Sequence, residues 1–352
     1  MSNLIHAKNA LDSIISKSRV HLYKPIQVAE ILYKDRLESN INLDELETYR
    51  TQSKHWRDKI CDDFLGRRCT SSSKFQDNLF EENAMPPATL TTLGSYNRSQ
   101  NGIVEAYIYK KFKEKHFQLA FALDYCTNAT AGSFDLLYFI NLFWEEAGLK
   151  RSIDKIFEII VYSLFETIII HSGVKISLAV NDETGVLKEF HEFAEKVVGL
   201  DGGCHSVSLD AHFHRVGVTN AADRGLDIFA NFGAVVQVKH LSLSEELAEN
   251  ITDSVTSNRI VIVCRDADSA TIKSLLTQIG WRSRIQAIVS IEELADWYNR
   301  ALKGRYSDIL ADDLLNNIVD QIQMEFPAVA DSGFNEFMSR RGYDTIDTTS
   351  WR

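Results

Sequence analysis

Residues 223–240 read DRGLDIFANFGAVVQVKH, and this stretch decides how the chain folds. Residues 226–230 alternate in polarity, residues 234–239 are mostly apolar, and Asn231-Phe232-Gly233 lies between them. Two short β-prone runs around a glycine-containing turn predict a β-hairpin. A three-residue turn centred on Phe232 sets Asp227 opposite Gln237. The two-residue period of a strand then puts Gln237 and Lys239 on one face. A carboxylate, an amide and an ammonium converge on an otherwise apolar hairpin. Such groups are costly among Val and Ile unless something satisfies them, and a hydrated divalent cation with a phosphate does so. The plainer reading, a hairpin with a few solvent-facing polar residues, is open on spacing alone.

The arrangement resembles the core of PD-(D/E)xK nucleases, with Asp227 as the aspartate and Gln237-Val238-Lys239 as the second half-motif. The wider wording resembles the HaeII family of type II restriction endonucleases. Two other stretches carry that likeness: GRRCTSSSKFQDNLF at 66–80 followed by NAMPP at 83–87, and SRVHLYKPIQVAE at 18–30. The resemblance implies an α/β fold, a PD-(D/E)xK-like mixed sheet flanked by helices, behind a helical N-terminal region. It also implies Mg²⁺-dependent double-strand cleavage at a palindrome with a GCGC core flanked by a purine and a pyrimidine. Double-stranded DNA is the expected partner, and a DNA methyltransferase of matching specificity is the functional counterpart. A two-fold DNA site predicts a homodimer. In that reading Asp227 and Gln237 hold the metal and Lys239 assists the attacking water. Glu166, on a helix before the hairpin, is the candidate to complete the shell, and Glu158 competes with it. Gln237 stands where the nuclease pattern has an acid, which argues against a second tightly bound metal.

Bulk properties set the frame. A chain of 352 residues, 45% hydrophobic and 25% charged, is an ordinary globular protein with room for two or three compact units. The net charge of -11 excludes a protein that coats nucleic acid by overall charge. A DNA cleft needs only local basic groups. Five cysteines, odd in number and without a CxxC pair, favour reduced thiols in the cytoplasm. The longest apolar run, 159–170, is broken by Ser163, Glu166 and Thr167, so no membrane span is expected.

Three regions are expected: a mostly helical part at 1–132, the catalytic core at 133–305 and C-terminal helices at 306–352. Helices are expected at 7–17, 26–33, 44–58, 102–123, 133–148, 152–171, with Ser152 as N-cap, 183–198, 243–251 and 270–279. Strands are expected at 175–180, 206–209, 213–218, 259–264 and 285–289, with Ser290 and Glu293 forming a capping box for the helix that follows. Arg67, Arg68, Lys74, Gln76 and Asn78 in the turn-rich segment are residue types that read base edges, and His212, His214 and His240 flank the hairpin. Arg36 and Lys34 belong to a basic and aromatic cluster suited either to phosphates or to a solvated helix surface. Cys204, His205, His212 and His214 suggest zinc, but without a standard zinc spacing. His212, His214 and Asn220 offer a histidine-asparagine metal nuclease instead. A non-enzymatic DNA-binding regulator, or a repair or structure-specific nuclease on the same fold, are the competing functions.

Overall fold

The computed structural model describes residues 2–18, 22–38, 41–65, 78–145, 149–180, 185–200, 206–216, 226–255, 257, 259–266, 284–326 and 331–351. In chain order the main elements are α1 (Ser2–Lys17), α2 (Tyr23–Leu37), α3 (Arg50–Leu65), α4 (Pro87–Ser99), α5 (Ile103–Thr127), α6 (Leu136–Glu145) and α7 (Ile153–His171). Then come β1 (Lys175–Ala179), β2 (Ser206–Asp210), β3 (Phe213–Arg215), β4 (Ile228–Ala230), β5 (Val235–Ser242), α8 (Glu245–Ser254), β6 (Ile260–Asp266) and β7 (Ile285–Ser290). α9 (Ile291–Lys303), α10 (Ser307–Glu325) and α11 (Asp331–Arg340) complete the set.

Two compact units emerge. One comprises residues 1–156, 217–222 and 318–352, and the other residues 157–216 and 223–317. The expected boundaries at 132/133 and 305/306 therefore shift, and the C-terminal segment joins the N-terminal helices. The reason is a buried polar network that sequence proximity does not reveal. Arg341, beyond α11, donates through both Nη atoms to Glu30 on α2, at 2.6 and 3.0 Å. Tyr109 on α5 donates to the same carboxylate at 2.5 Å, and the Arg341 guanidinium stacks on Tyr33. Tyr343 donates to Glu105, which also accepts from Arg36 and Asn97. Glu30 and Glu105 are buried, so each carboxylate depends on these donors. Arg36 is thus committed inside the unit to Glu105, and Lys34 pairs with Glu38, rather than forming a phosphate-binding cluster.

The second unit holds the sheet, in the order β3-β4-β5-β6-β7. β3, β4 and β5 pair antiparallel; β5, β6 and β7 pair parallel. This is the expected mixed sheet of an α/β fold. Antiparallel strands need only a tight turn, whereas the parallel pairs need crossovers, and α8 lies in the β5–β6 connection. Ser244 caps α8 by accepting from Leu247 N. One face of the sheet, with Val235, Ile260, Ile262 and Cys264, packs in a cluster with Ala248 and Ile251 of α8 and with Val255. On the other face Phe165 of α7 meets Phe213 of β3 and Trp297 of α9, and Tyr298 donates to Ile160 O. The capping box of Ser290 and Glu293 starts α9 as expected.

Three local expectations change. Residues 183–198 do not form one helix: the described part is broken into Val186–Glu189, His191–Phe193 and a π-helical Ala194–Val198, between Gly185 and Gly199, both at positive φ. Ser152 precedes α7 as predicted, but its buried hydroxyl has no hydrogen-bond partner among the described residues, because a 3₁₀ turn at Lys150–Ser152 leads into the helix instead. β1 and β2 do not join the main sheet; they form a separate antiparallel ribbon. The helix expected at 270–279 lies outside the described residues.

Candidate active site

The β4–β5 hairpin closes through Asn231-Phe232-Gly233. Gly233 sits at φ 90°, a conformation with little cost for glycine, and its N–H donates to Ala230 O at 2.9 Å. Ile228 pairs with Val236 and Phe229 with Val235. Continued by one residue, that register sets Asp227 opposite Gln237. Directly opposed residues share a face, so Asp227, Gln237 and Lys239 lie on the face of Val235. Parallel pairing puts Ile262 beside Gln237 and Cys264 beside Lys239.

Contacts agree with the register. Asp227 Oδ2 accepts the Val238 backbone N–H at 2.8 Å and lies 3.3 Å from Lys239 Nζ. Its backbone carbonyl accepts from Val216 N, which fixes the residue between β3 and β5. Gln237 is buried, while Asp227 and Lys239 are partly exposed. The result is one carboxylate and one ammonium at the solvent-facing end of an apolar sheet, with an amide behind them. Burial, reinforced by Asp266 and Glu293, pushes the Cys264 thiol up to about 11, so beside Lys239 it remains a neutral thiol.

Glu166 is held elsewhere. Its Oε1 lies 2.8 Å from His212 Nδ1, and its Oε2 accepts from Phe213 N at 2.6 Å. Phe213 pairs with Ala230, three ladder positions from Asp227, or about 10 Å along the strand. Glu166 therefore covers an outward N–H of the edge strand and orients a histidine; it does not join Asp227. Glu158 stands nearer that end of β3, 3.9 Å from Arg215, which pairs with Ile228. Yet Arg215 shares its face with Ile228 and Val236, opposite to the face of Asp227. Neither glutamate is gathered with Asp227. On α7 between them, burial and then Glu166 raise the Tyr162 phenol above its ordinary value.

His212 and His214 alternate onto the same face as Asp227, their rings 6.3 Å apart, and His214 packs on Phe229 at 5.0 Å. Asn231, which the sequence reading used only as a turn residue, fixes His212: it accepts from His212 N at 2.9 Å and donates to Asp210 O at 2.9 Å. An asparagine in a tight turn is the one local signal that pointed there. His240 follows Lys239 on β5 and is partly buried. Asn78 opens the 3₁₀ turn Asn78–Phe80 in the helical unit. Arg67, Arg68, Lys74 and Gln76 lie outside the described residues, as do Cys204, His205 and Asn220 of the zinc and histidine-asparagine readings. Among the described residues no three His, Cys, Asp or Glu side chains form a metal-holding group. The site's own donors, a carboxylate and an amide, are hard oxygens. They suit Mg²⁺, which keeps several waters and takes one or two carboxylates together with substrate phosphate.

Comparison with known proteins places the chain in a family. The family model for the HaeII restriction endonuclease matches residues 7–343. The chain belongs to the HaeII restriction endonuclease family. It is 52% identical over 345 residues to the Type II restriction enzyme HaeII of Haemophilus aegyptius, covering 98% of each chain. It is 55% identical over 344 residues to the Type II restriction enzyme NgoBI of Neisseria gonorrhoeae, covering 97% of each. No solved structure matches. Membership in the HaeII family makes this chain an enzyme, a type II site-specific deoxyribonuclease, and sets aside the non-enzymatic regulator. Among the described residues no helix is long and apolar enough to cross a membrane.

Proposed function

We propose that the chain cuts both strands of a short palindromic duplex in a Mg²⁺-dependent reaction at the Asp227–Gln237–Lys239 site, in the manner of PD-(D/E)xK nucleases. The observation that carries this reading is the 3.3 Å approach of Lys239 to Asp227 on the face that the hairpin register assigns to Gln237. Asp227 supplies the anionic oxygen for the metal and Gln237 a neutral carbonyl oxygen. Bound Mg²⁺ supplies Lewis-acid polarisation of a phosphate oxygen and a water of lowered pKa. Lys239 orients the attacking water and offsets the negative charge that grows on the phosphate oxygens. Hydrogen-bonded to Val238 N, Asp227 is held in place before substrate arrives, which reduces reorganisation. A single carboxylate favours one metal rather than two.

His212 and His214 extend the same face along β3 and are assigned to the DNA backbone, with Glu166 positioning His212. Arg67, Arg68, Lys74, Gln76 and Asn78 are proposed to contact DNA, as is His240. The family resemblance favours a GCGC-cored palindrome with flanking purine and pyrimidine. A two-fold site calls for a homodimer and, in its host, for a methyltransferase that protects the same site. The protein is expected to work in the cytoplasm. Incubation with plasmid DNA and Mg²⁺, followed by sequencing of fragment ends, tests the reading. Every end is expected at one palindrome, with one overhang. Ends scattered over unrelated sequences would point to a repair or structure-specific nuclease instead.

A further inference from the structure

The pair of Glu166 and His212 is built more firmly than a histidine on a solvated surface needs. β3 is the edge strand of the main sheet, and α7 brings Glu166 to that edge. The carboxylate is buried, with one oxygen on His212 Nδ1 at 2.8 Å and the other accepting from Phe213 N at 2.6 Å. Asn231 holds the same residue from the hairpin turn. Its side chain accepts from His212 N and donates to Asp210 O, and its own N–H donates to His212 O at 3.1 Å. Backbone and ring are therefore fixed before any ligand arrives, although the His212 side chain is 40% exposed. An ionised carboxylate only accepts, so Nδ1 carries a proton, and Nε2 on the far side of the ring is the atom a ligand can reach. A second proton on Nε2 gives a cation with Glu166 behind it and a donor in front. Asp210, two residues away, is paired with Lys175, which limits its repulsion of an anion.

We infer that Glu166, His212 and Asn231 form a preset anchor for a second phosphate of the cut strand, two phosphates from the one that is hydrolysed. The inference rests on the reading of Asp227 and Lys239 as the cleavage site, and adds which phosphate His212 holds and by what device. Spacing picks the phosphate. His214 pairs with Phe229, two ladder positions from Asp227, and His212 lies opposite Asn231, four positions away. Those steps are about 7 and about 13 Å along the strand. The two imidazole rings are 6.3 Å apart, a separation matched by neighbouring phosphates on one DNA strand. His214 thus reaches the phosphate next to the scissile one, and His212 the one beyond it. A chain of net charge -11 needs such local donors to hold a phosphate at all. Glu166 acts as a positioning residue: it sets which nitrogen faces the DNA and supplies the countercharge to the protonated ring. Fixing the ring in advance lowers the ordering cost of binding.

Binding in Ca²⁺ to duplexes that each carry one methylphosphonate, which removes the charge of a single phosphate, tests the inference. Cleavage of the unmodified duplex first marks the scissile phosphate. His212→Ala should weaken binding to the unmodified duplex severalfold. A methylphosphonate two phosphates from the cut, on one side, should weaken binding of the unsubstituted enzyme by a similar factor and cost His212→Ala nothing further. Elsewhere the modification should cost both proteins equally. Glu166→Gln should weaken binding when His212 is present and have no effect in the His212→Ala background, a dependence that a purely structural role at the sheet edge does not produce. The scan on the unsubstituted enzyme alone keeps the test open should a variant misfold: the second phosphate on one side must then show the loss. No loss there, losses that add at every position, coupling to a different phosphate, or an equal cost of Glu166→Gln in both backgrounds each overturn the anchor and leave the Asp227 site standing. Failure of the cleavage-site reading shows separately, as an Asp227→Asn variant that still cuts.

Discussion

Replacing Asp227 with asparagine probes the site at the cost of one charge and almost no volume. The amide oxygen can still accept from Val238 N, so the hairpin should keep its fold. At 3.3 Å and an effective dielectric of about 20, a unit charge there interacts with a single positive charge by about 5 kcal/mol. Lys239 keeps 30% of its side chain in water, and solvent screening reduces this to about 2–3 kcal/mol. A divalent ion doubles the interaction again, to about 5 kcal/mol. If that stabilisation acts on the rate-limiting step, cleavage falls by about 10³-fold or more. The assay is single-turnover cleavage of a duplex carrying the site, with saturating enzyme and Mg²⁺. Binding of the same duplex is measured in Ca²⁺ and should change less than tenfold, and the unfolding midpoint should be preserved. A variant that cuts within tenfold of the unsubstituted enzyme would refute the assignment of Asp227, whatever its stability.

Other consequences follow from neighbouring contacts. Glu166→Gln should keep cleavage within about tenfold in the same assay, because its oxygens serve His212 and Phe213 N and not the metal; a loss matching that of Asp227→Asn would return Glu166 to the metal shell. His212→Ala should weaken binding to all duplexes severalfold and lower the salt dependence of log K by up to about one unit, read by titration at several ionic strengths. Arg341→Ala leaves the buried Glu30 carboxylate without its bidentate partner and should cost the helical unit about 3–5 kcal/mol in chemical denaturation, and a loss under about 1 kcal/mol would contradict the network. Burial pushes His116 down to about 4, below its unfolded value near 6.5, so the folded chain favours the neutral ring. The unfolded chain then binds more protons between those values, and up to about 3 kcal/mol present above pH 6.5 is lost as pH falls towards 4. His116→Phe should flatten that part of the pH–stability curve, and identical curves for the two proteins would contradict it.

The hairpin was legible because its signals are local. Gly233 permits the turn, and the alternation around it fixes which side chains share a face, so Asp227 and Lys239 could be paired from spacing. The capping box of Ser290 and Glu293 is local in the same way. What sequence reading misplaced depends on contacts between distant residues. Nothing near Glu166 announces that its partners are His212 and Phe213, 46 and 47 residues away. The boundary of the helical unit depends on Arg341 reaching Glu30, 311 residues earlier. The strands at 175–179 and 206–210 have ordinary alternation, which says where a strand lies but not which sheet receives it.

Affinity cleavage by Fe²⁺ at the Mg²⁺ position tests the central claim most directly, since locally generated hydroxyl radicals cut the nearby polypeptide backbone. With Fe²⁺ and ascorbate, the account predicts cuts beside Asp227 and Gln237 that excess Mg²⁺ suppresses and Asp227→Asn abolishes. Cuts confined to another part of the chain, or cuts beside Asp227 that survive the substitution, would contradict it.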